Sequence, residues 1–459
     1  MPDGRLTLEE LSRLVREGEI ETVLTVFPDW YGRLVGKRVT GRFFLDRVAG
    51  HGMHACDYLL ACDMEMDPVP GYPFASWEAG YGDVKAVPDA STLRRAAWLP
   101  KTALVLCDLV KEPGDRPVEV APRRILARQL ERARALGFLP QGGSEIEVYL
   151  FRESYDAARK KSWHDLETFG SYVEDYHILQ GTKEEPLVGA IVRGLKGSGV
   201  PVESSKGEWG PGQQEINLEY SPLLEQADRN VLYKHAAKEI AHQQGFAVTF
   251  MAKWNERFAG SSMHQHVSLW DLAGVRNLFA GETSLGPVAG SEAFRWFLGG
   301  WMAHAGELAA FYAPNVNSYK RYQAASFAPT ALAWSQDNRT AGLRVVGEGA
   351  SLRIECRIPG ADANPYVAYA ATLAAGLKGI AGKIEPPPPF RGDVYAAKAL
   401  PQVPKTLRDA IDGLARSALA REAFGEEVVG HYLHFLRTEQ RKFDEVVTCW
   451  ERARFFERG

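Results

Sequence analysis

Between residues 142 and 151 the chain reads Gly-Gly-Ser-Glu-Ile-Glu-Val-Tyr-Leu-Phe, and few architectures accommodate that stretch. Its alternation has the period of a strand, so Glu145 and Glu147 share one face while Ile146, Val148 and Leu150 take the other. Two carboxylates side by side repel unless something positive lies between them. The pair therefore reads either as the wet, charged face of an edge strand or as oxygen ligands converging on a divalent cation such as Mg²⁺ or Mn²⁺.

With 459 residues, the chain exceeds what one ordinary core organises, and two domains are expected. Its 45% hydrophobic and 24% charged residues are those of an ordinary soluble globular protein. The formal charge is only −4 and the basic residues are scattered, which argues against nucleic acid or a membrane surface as partner. Five cysteines, an odd number with no Cys-x-x-Cys pair, favour neither a disulfide framework nor a structural zinc. No apolar run has the length of a bilayer span and no apolar leader follows Pro2-Asp3-Gly4-Arg5, so the expected location is cytoplasmic.

Thr7-Leu8-Glu9-Glu10 is a capping box, and the apolar spacing behind it predicts a helix over 7–17. Apolar segments at 22–27 and 34–39 flank a turn-rich Pro28-Asp29-Trp30-Tyr31-Gly32 and predict a hairpin. Further strands are expected near 83–87 and 103–108. The polar, proline-bearing stretch 111–117 then marks a boundary, giving a small α+β domain over 1–116 and a larger one over 117–459. In the second domain an amphipathic helix over 123–136 leads into the Glu-x-Glu strand, Pro386 to Pro389 form a stiff loop, and two final helices are expected at 417–436 and 439–456.

Four more segments carry polar groups that a scaffold alone does not need. Residues 203–220 begin as a glycine-rich loop in which Glu208 and Glu215 can return to one point, although solvated acids on a turn look the same. Ser261 to Leu269 alternates so that His264, His266 and Ser268 share a face, as packing residues or as ligands. Residues 315–329, with small side chains and the adjacent cations Lys320 and Arg321, suggest a mobile loop closing on an anion or an ordinary surface loop. Arg353, Glu355 and Arg357 alternate in sign on one strand face downstream of Arg339 and Arg344, which fits a salt-bridged sheet or a clamp for phosphates and carboxylates. Together, five glutamates and a histidine could hold two cations, and the arginines the polyphosphate between them, which is equipment for phosphoryl transfer. Neither a Walker A sequence nor a strand followed by GxGxxG is present.

In this order, Glu145-x-Glu147, Glu208 with Gly212-Gln213-Gln214-Glu215, Met263-His264-Gln265-His266-Val267-Ser268, Asn317-Ser318-Tyr319-Lys320-Arg321, Asn338-Arg339 with Arg344, Glu355-x-Arg357 and Asn364-Pro365-Tyr366 resemble the glutamine synthetase family. The resemblance implies an α+β fold: a small N-terminal β-grasp domain, then a larger catalytic domain with a curved antiparallel sheet and flanking helices. It also implies a homo-oligomer of two stacked rings with active sites shared between neighbours. Family members use ATP to form a γ-glutamyl phosphate that an amine then attacks. By position, Glu147, Glu208 and Glu215 correspond to one metal site, and Glu145, His264 and Glu355 to the other. Tyr220, His266, Ser268, Arg339 and Arg344 correspond to ATP-binding positions, and Gly260, Arg321 and Arg357 to glutamate-binding ones. Arg321 and Arg339 are the implied catalytic cations, with Phe327 on the flap above them.

The departures from the family bear on the nucleophile. Where ammonia-using members carry a flap glutamate, this chain has Phe327, and the Asp of an Asp-Gly-Ser-Ser segment has no counterpart in 72–78. Ala259 replaces the asparagine that precedes Gly260 in the family. These losses favour an ATP-dependent carbon–nitrogen ligase that joins glutamate to an organic amine, such as an alkylamine or a polyamine. The alternatives are an ordinary ammonia-dependent glutamine synthetase in which Glu78 restores the charge, and a non-catalytic ring. Tyr395, in a region that carries a regulatory tyrosine in some relatives, is expected to be an exposed loop residue.

Overall fold

In the computed structural model, which describes residues 4–459, two sheets organise the chain. The first runs Leu34–Thr40, Thr22–Pro28, Thr102–Lys111, Asp83–Pro88, Met53–Cys56, with the predicted hairpin at its edge and Thr102–Lys111 parallel to Thr22–Pro28. The hairpin turns where the Asp29 carboxylate accepts the Tyr31 and Arg33 amides at 2.9 and 2.8 Å, and Gly32 takes a φ of +74°. Ahead of it, Leu8–Arg16 is a helix started by the Thr7–Glu10 capping box, one residue inside the expected limits.

The second sheet runs Trp334–Gln336, Leu343–Val346, Arg353–Cys356, Met263–Trp270, Leu139–Phe151, Gln213–Pro222, Val202–Gly207. It departs from the expected antiparallel pattern in one pair, because Trp334–Gln336 lies parallel to Leu343–Val346. The Glu-x-Glu strand, Leu139–Phe151, has neighbours on both sides, so the edge-strand reading does not hold. The helices Pro122–Ala135 and Leu223–Gln243 pack on this strand, and Ile146, Val148 and Leu150 are fully buried. Each such side chain stabilises the fold by roughly 1.5–3 kcal/mol at most, so the apolar face decides which way both glutamates point. The core is continuous from Leu11 beside the first sheet to Leu436 near the C-terminus.

The end of the chain departs from expectation. The helix expected at 417–436 is interrupted at Gly425, whose φ of +86° divides Ala418–Phe424 from Glu426–Asp444. The helix expected at 439–456 is divided too, since a Thr448–Glu451 capping box restarts the chain as Cys449–Phe455. No helix among the described residues is long and apolar enough to cross a membrane.

Candidate active site

Strand register brings the polar residues together. Glu145 lies opposite His264, Glu147 opposite Glu215, Glu215 opposite Lys206, His266 opposite Glu355, and Glu355 opposite Arg344. Because side chains alternate along each strand, these residues all project from one face, away from the helices.

On one side of Glu147, Glu145, His264 and Glu355 place ligand atoms within 4.8 Å of one another. Glu145 approaches His264 Nδ1 at 3.1 Å and His266 Nε2 at 3.0 Å. Burial raises the Glu145 pKa, but these two ring contacts outweigh it and hold the carboxyl well below its usual range. Glu355, with no exposed surface, accepts from Arg344 at 2.9 Å and Arg357 at 2.5 Å. Against the cost of burial, Arg357 and then His264 keep it at about 2. Burial and the facing Arg357 push His264 down to about 4, leaving its ring neutral and able to donate a lone pair.

The other acids are compensated less fully, with the Lys206 ammonium as their one neighbouring ion-pair partner among the described residues. Glu147 accepts from the Ser262 hydroxyl at 2.5 Å, the Ser262 amide at 2.9 Å and Gln213 at 3.1 Å. Burial, then repulsion from Glu208, raises it to about 7 even so. Glu215 is raised well above its usual range too, by burial and by repulsion from Glu145 and Glu208. Excess buried negative charge of this kind is what a divalent cation relieves, so this donor set fits one. The ligand atoms of Glu147 and Glu215 cluster with His264, whereas Glu208 pairs with Lys206, whose ammonium also lies 3.8 Å from Glu215. Glu208, the third member of the expected trio, is thus held by Lys206 beside that cluster.

A cavity of about 380 Å³ opens over this face. Arg321, Arg339, Arg344 and Arg357 line it with Gly260 and Phe327. Gly260 is required there, because a Cβ would fall 2.4 Å from Arg321 Cγ. Arg321 is buried and anchored by the carbonyls of Arg357, at 3.1 Å, and Ile358. The Nε atoms of Arg321 and Arg357 are buried without partners among the described residues. The adjacent cations diverge: Lys320 points instead to a second cavity, beside Phe443.

Tyr220, His266 and Ser268 line a neighbouring cavity of about 520 Å³, which shares Glu145 and Asn217 with the first. There the Tyr220 ring lies nearly parallel to that of Trp270, 21° apart with centroids at 6.3 Å. Arg353 donates from Nε to His266 Nδ1 at 3.1 Å and fixes that ring.

Phe327 sits at the cavity wall, half exposed, in a left-handed backbone conformation with φ +58°. A non-glycine residue persists there only when its surroundings hold it. Its carbonyl accepts from Arg357 at 3.3 Å, and the next carbonyl, of Ala328, accepts from the Tyr395 hydroxyl at 3.0 Å. Tyr395 is therefore half-buried and holds the flap, which corrects the expectation of an exposed loop tyrosine. Glu78 does not line this cavity, and the segment over 72–78 packs instead through Tyr72 and Phe74 on His431.

Sequence reasoning missed Lys206, Trp209, Asp175 and Tyr176, all of which line the cavity. A signal for Lys206 was available, because it stands two residues before Glu208, and strand alternation puts the two on one face. Asp175 and Tyr176 lie in an irregular segment, tied to the Glu208 loop by backbone bonds from Asp175 N to Glu208 O and Tyr176 N to Gly207 O. No periodicity announces such a contact.

The family model described as the glutamine synthetase catalytic domain matches residues 119–455. The chain belongs to the glutamine synthetase family, and it is a carbon–nitrogen ligase of that kind. It is 48% identical over 453 residues to the gamma-glutamylethanolamide synthetase of Streptomyces coelicolor, covering 99% of this chain and 96% of that one. With the glutamate–isopropylamine ligase of a Pseudomonas species it shares 36% identity over 448 residues, 96% of each chain. Among solved structures, a GmaS complex with ADP superposes with a TM-score of 0.84 at 28% identity, covering 97% of this chain and 99% of that one.

Proposed function

We propose that this protein forms a γ-glutamyl amide from L-glutamate and an organic amine, at the expense of ATP. The observation that carries the reading is Phe327, an aromatic ring on the cavity wall where a carboxylate would serve ammonium. The names of the two relatives support it, as both describe ligation of glutamate or a glutamyl group to an organic amine.

Arg321 and Arg357 hold the glutamate carboxylates, with Gly260 making room, and Tyr220, His266, Ser268, Arg339 and Arg344 receive ATP. A γ-carboxylate oxygen attacks the terminal phosphorus, the bond to the bridging oxygen breaks, and ADP leaves while Arg339 and Arg344 neutralise the moving charge. The amine lone pair then attacks the acyl carbon, phosphate departs with the C–O bond electrons, and the amine's extra proton passes to phosphate or water. Glu147, Glu208 and Glu215, and Glu145, His264 and Glu355, would hold Mg²⁺ or Mn²⁺, which polarises the phosphoryl oxygens when bound. Residues 1–116 form a β-grasp domain that meets the catalytic domain of a neighbour in a double ring, and the enzyme works in the cytoplasm.

The test is ADP release with glutamate and Mg²⁺ across ammonia, methylamine, ethanolamine, isopropylamine and putrescine. An organic amine is expected to give the highest kcat/KM, and ammonia giving the highest would overturn the proposal.

A further inference from the structure

The cavity wall carries more aromatic surface and one more acid than phosphoryl transfer uses. Trp209 and Phe327 are about half exposed, and their rings meet edge-on, 64° apart with centroids at 5.7 Å. Large apolar groups left in water at a cavity mouth mark a surface awaiting an apolar or cationic ligand. The third ring, Tyr176, is already taken, because Lys206 Nζ lies 4.5 Å from its centroid.

The acids of the cavity divide in the same way. Glu145 is engaged by two histidines, Glu147 by Ser262 and Gln213, and Glu208 by Lys206 with Glu215 beside it. Asp175 remains, an exposed carboxylate with no ion pair among the described residues. Its backbone is not free to drift, since its amide donates to the Glu208 carbonyl at 3.0 Å. Next in sequence to Glu208, Trp209 shares that anchor.

We infer that Trp209 and Phe327, with Asp175, form the acceptor site, and that they select a short primary monoamine. This rests on the γ-glutamyl-amine reading above and names the amine class. One free carboxylate meets one ammonium, and the two rings cover a tail of a few carbons, whether alkyl or hydroxyalkyl. The far end of a diamine would meet no second free acid among the described residues. It would face instead the cations that line the same cavity: Lys206, Arg321, Arg339 and Arg357.

The experiment compares Trp209→Val, Phe327→Ala and Asp175→Asn with the parent enzyme. It uses ethylamine, ethanolamine and putrescine, and hydroxylamine as a nucleophile without a tail or a charge at neutral pH. In each variant the ratio of kcat/KM for ethanolamine to that for hydroxylamine is expected to fall roughly tenfold. Turnover with hydroxylamine shows that each variant is folded and still activates glutamate. Unchanged ratios in all three variants, or putrescine preferred to ethylamine and ethanolamine by the parent, would overturn the inference while leaving γ-glutamyl-amine synthesis standing. Ammonia surpassing every organic amine would instead remove the reading beneath it.

Discussion

Lys206 and Glu208 form an ion pair on the cavity wall, and the same ammonium stands 3.8 Å from Glu215. The lysine thus occupies ground that a divalent cation would claim, and the two should compete. Lys206→Met leaves both carboxylates uncompensated, so the metal-free protein should melt roughly 2–4 °C lower. Millimolar Mg²⁺ should then raise the variant's Tm more than the parent's. Equal Mg²⁺-induced shifts in a thermal melt would show that lysine and cation do not share the space.

Glu355 joins the histidine side of the site to the arginine side. Glu355→Ala strips Arg344 and Arg357 of a fully buried partner and should cost about 3–5 kcal/mol in urea unfolding. Glu355→Gln keeps an acceptor oxygen and should be milder in stability, yet glutamate-dependent ADP release should fall at least a hundredfold in both. Near-normal turnover in Glu355→Gln would mean that its charge is dispensable.

How much of this was legible in the sequence follows from where periodicity operates. Glu145, Glu147, Glu215, His264, His266, Glu355 and Arg344 sit on paired strands, where a period of two fixes the face and register fixes the neighbour. Spacing alone gave the shared face within each segment, whereas the convergence of the segments was implied by the family resemblance and is made by the register. Lys320 and Arg321 could not be separated in this way, because the 3₁₀ turn Val316–Arg321 sends adjacent side chains in different directions. The placement of Asp175, Tyr176 and Phe327 depends on backbone bonds across irregular segments and on a left-handed φ at a phenylalanine. The terminal helices were misjudged for a related reason: helical spacing persists through 425 and 448, while one glycine and one capping box interrupt the backbone.

His431 gives the fold an acid limit. Its ring is stacked on Trp30, packed by Tyr72 and Phe74 with His434 nearby, and donates from Nε2 to the Leu60 carbonyl at 2.8 Å. Burial pushes its pKa down to about 3, against about 6.5 in the unfolded chain. As pH falls the unfolded state takes up the proton first, so stability is full above about 6.5 and declines toward about 3, by roughly 1.4 kcal/mol per pH unit. His431→Gln, which cannot take that proton, should show a shallower decline between pH 6.5 and 4.5 in urea midpoints. The same acid slope in both proteins would assign it to other groups.

Phe327 is where the choice of nucleophile can be reversed. A carboxylate there would attract ammonium and repel the apolar tail that the ring covers, and the side chain is half exposed, so the exchange costs little packing. The backbone φ of +58° strains glutamate no more than phenylalanine, and the Arg357 contact to the 327 carbonyl survives either side chain. Phe327→Glu should therefore raise kcat/KM for ammonia and lower it for ethanolamine, shifting their ratio by roughly tenfold to a hundredfold. Competition assays with both nucleophiles present read that ratio directly, and an unchanged product distribution would show that the residue does not select the amine.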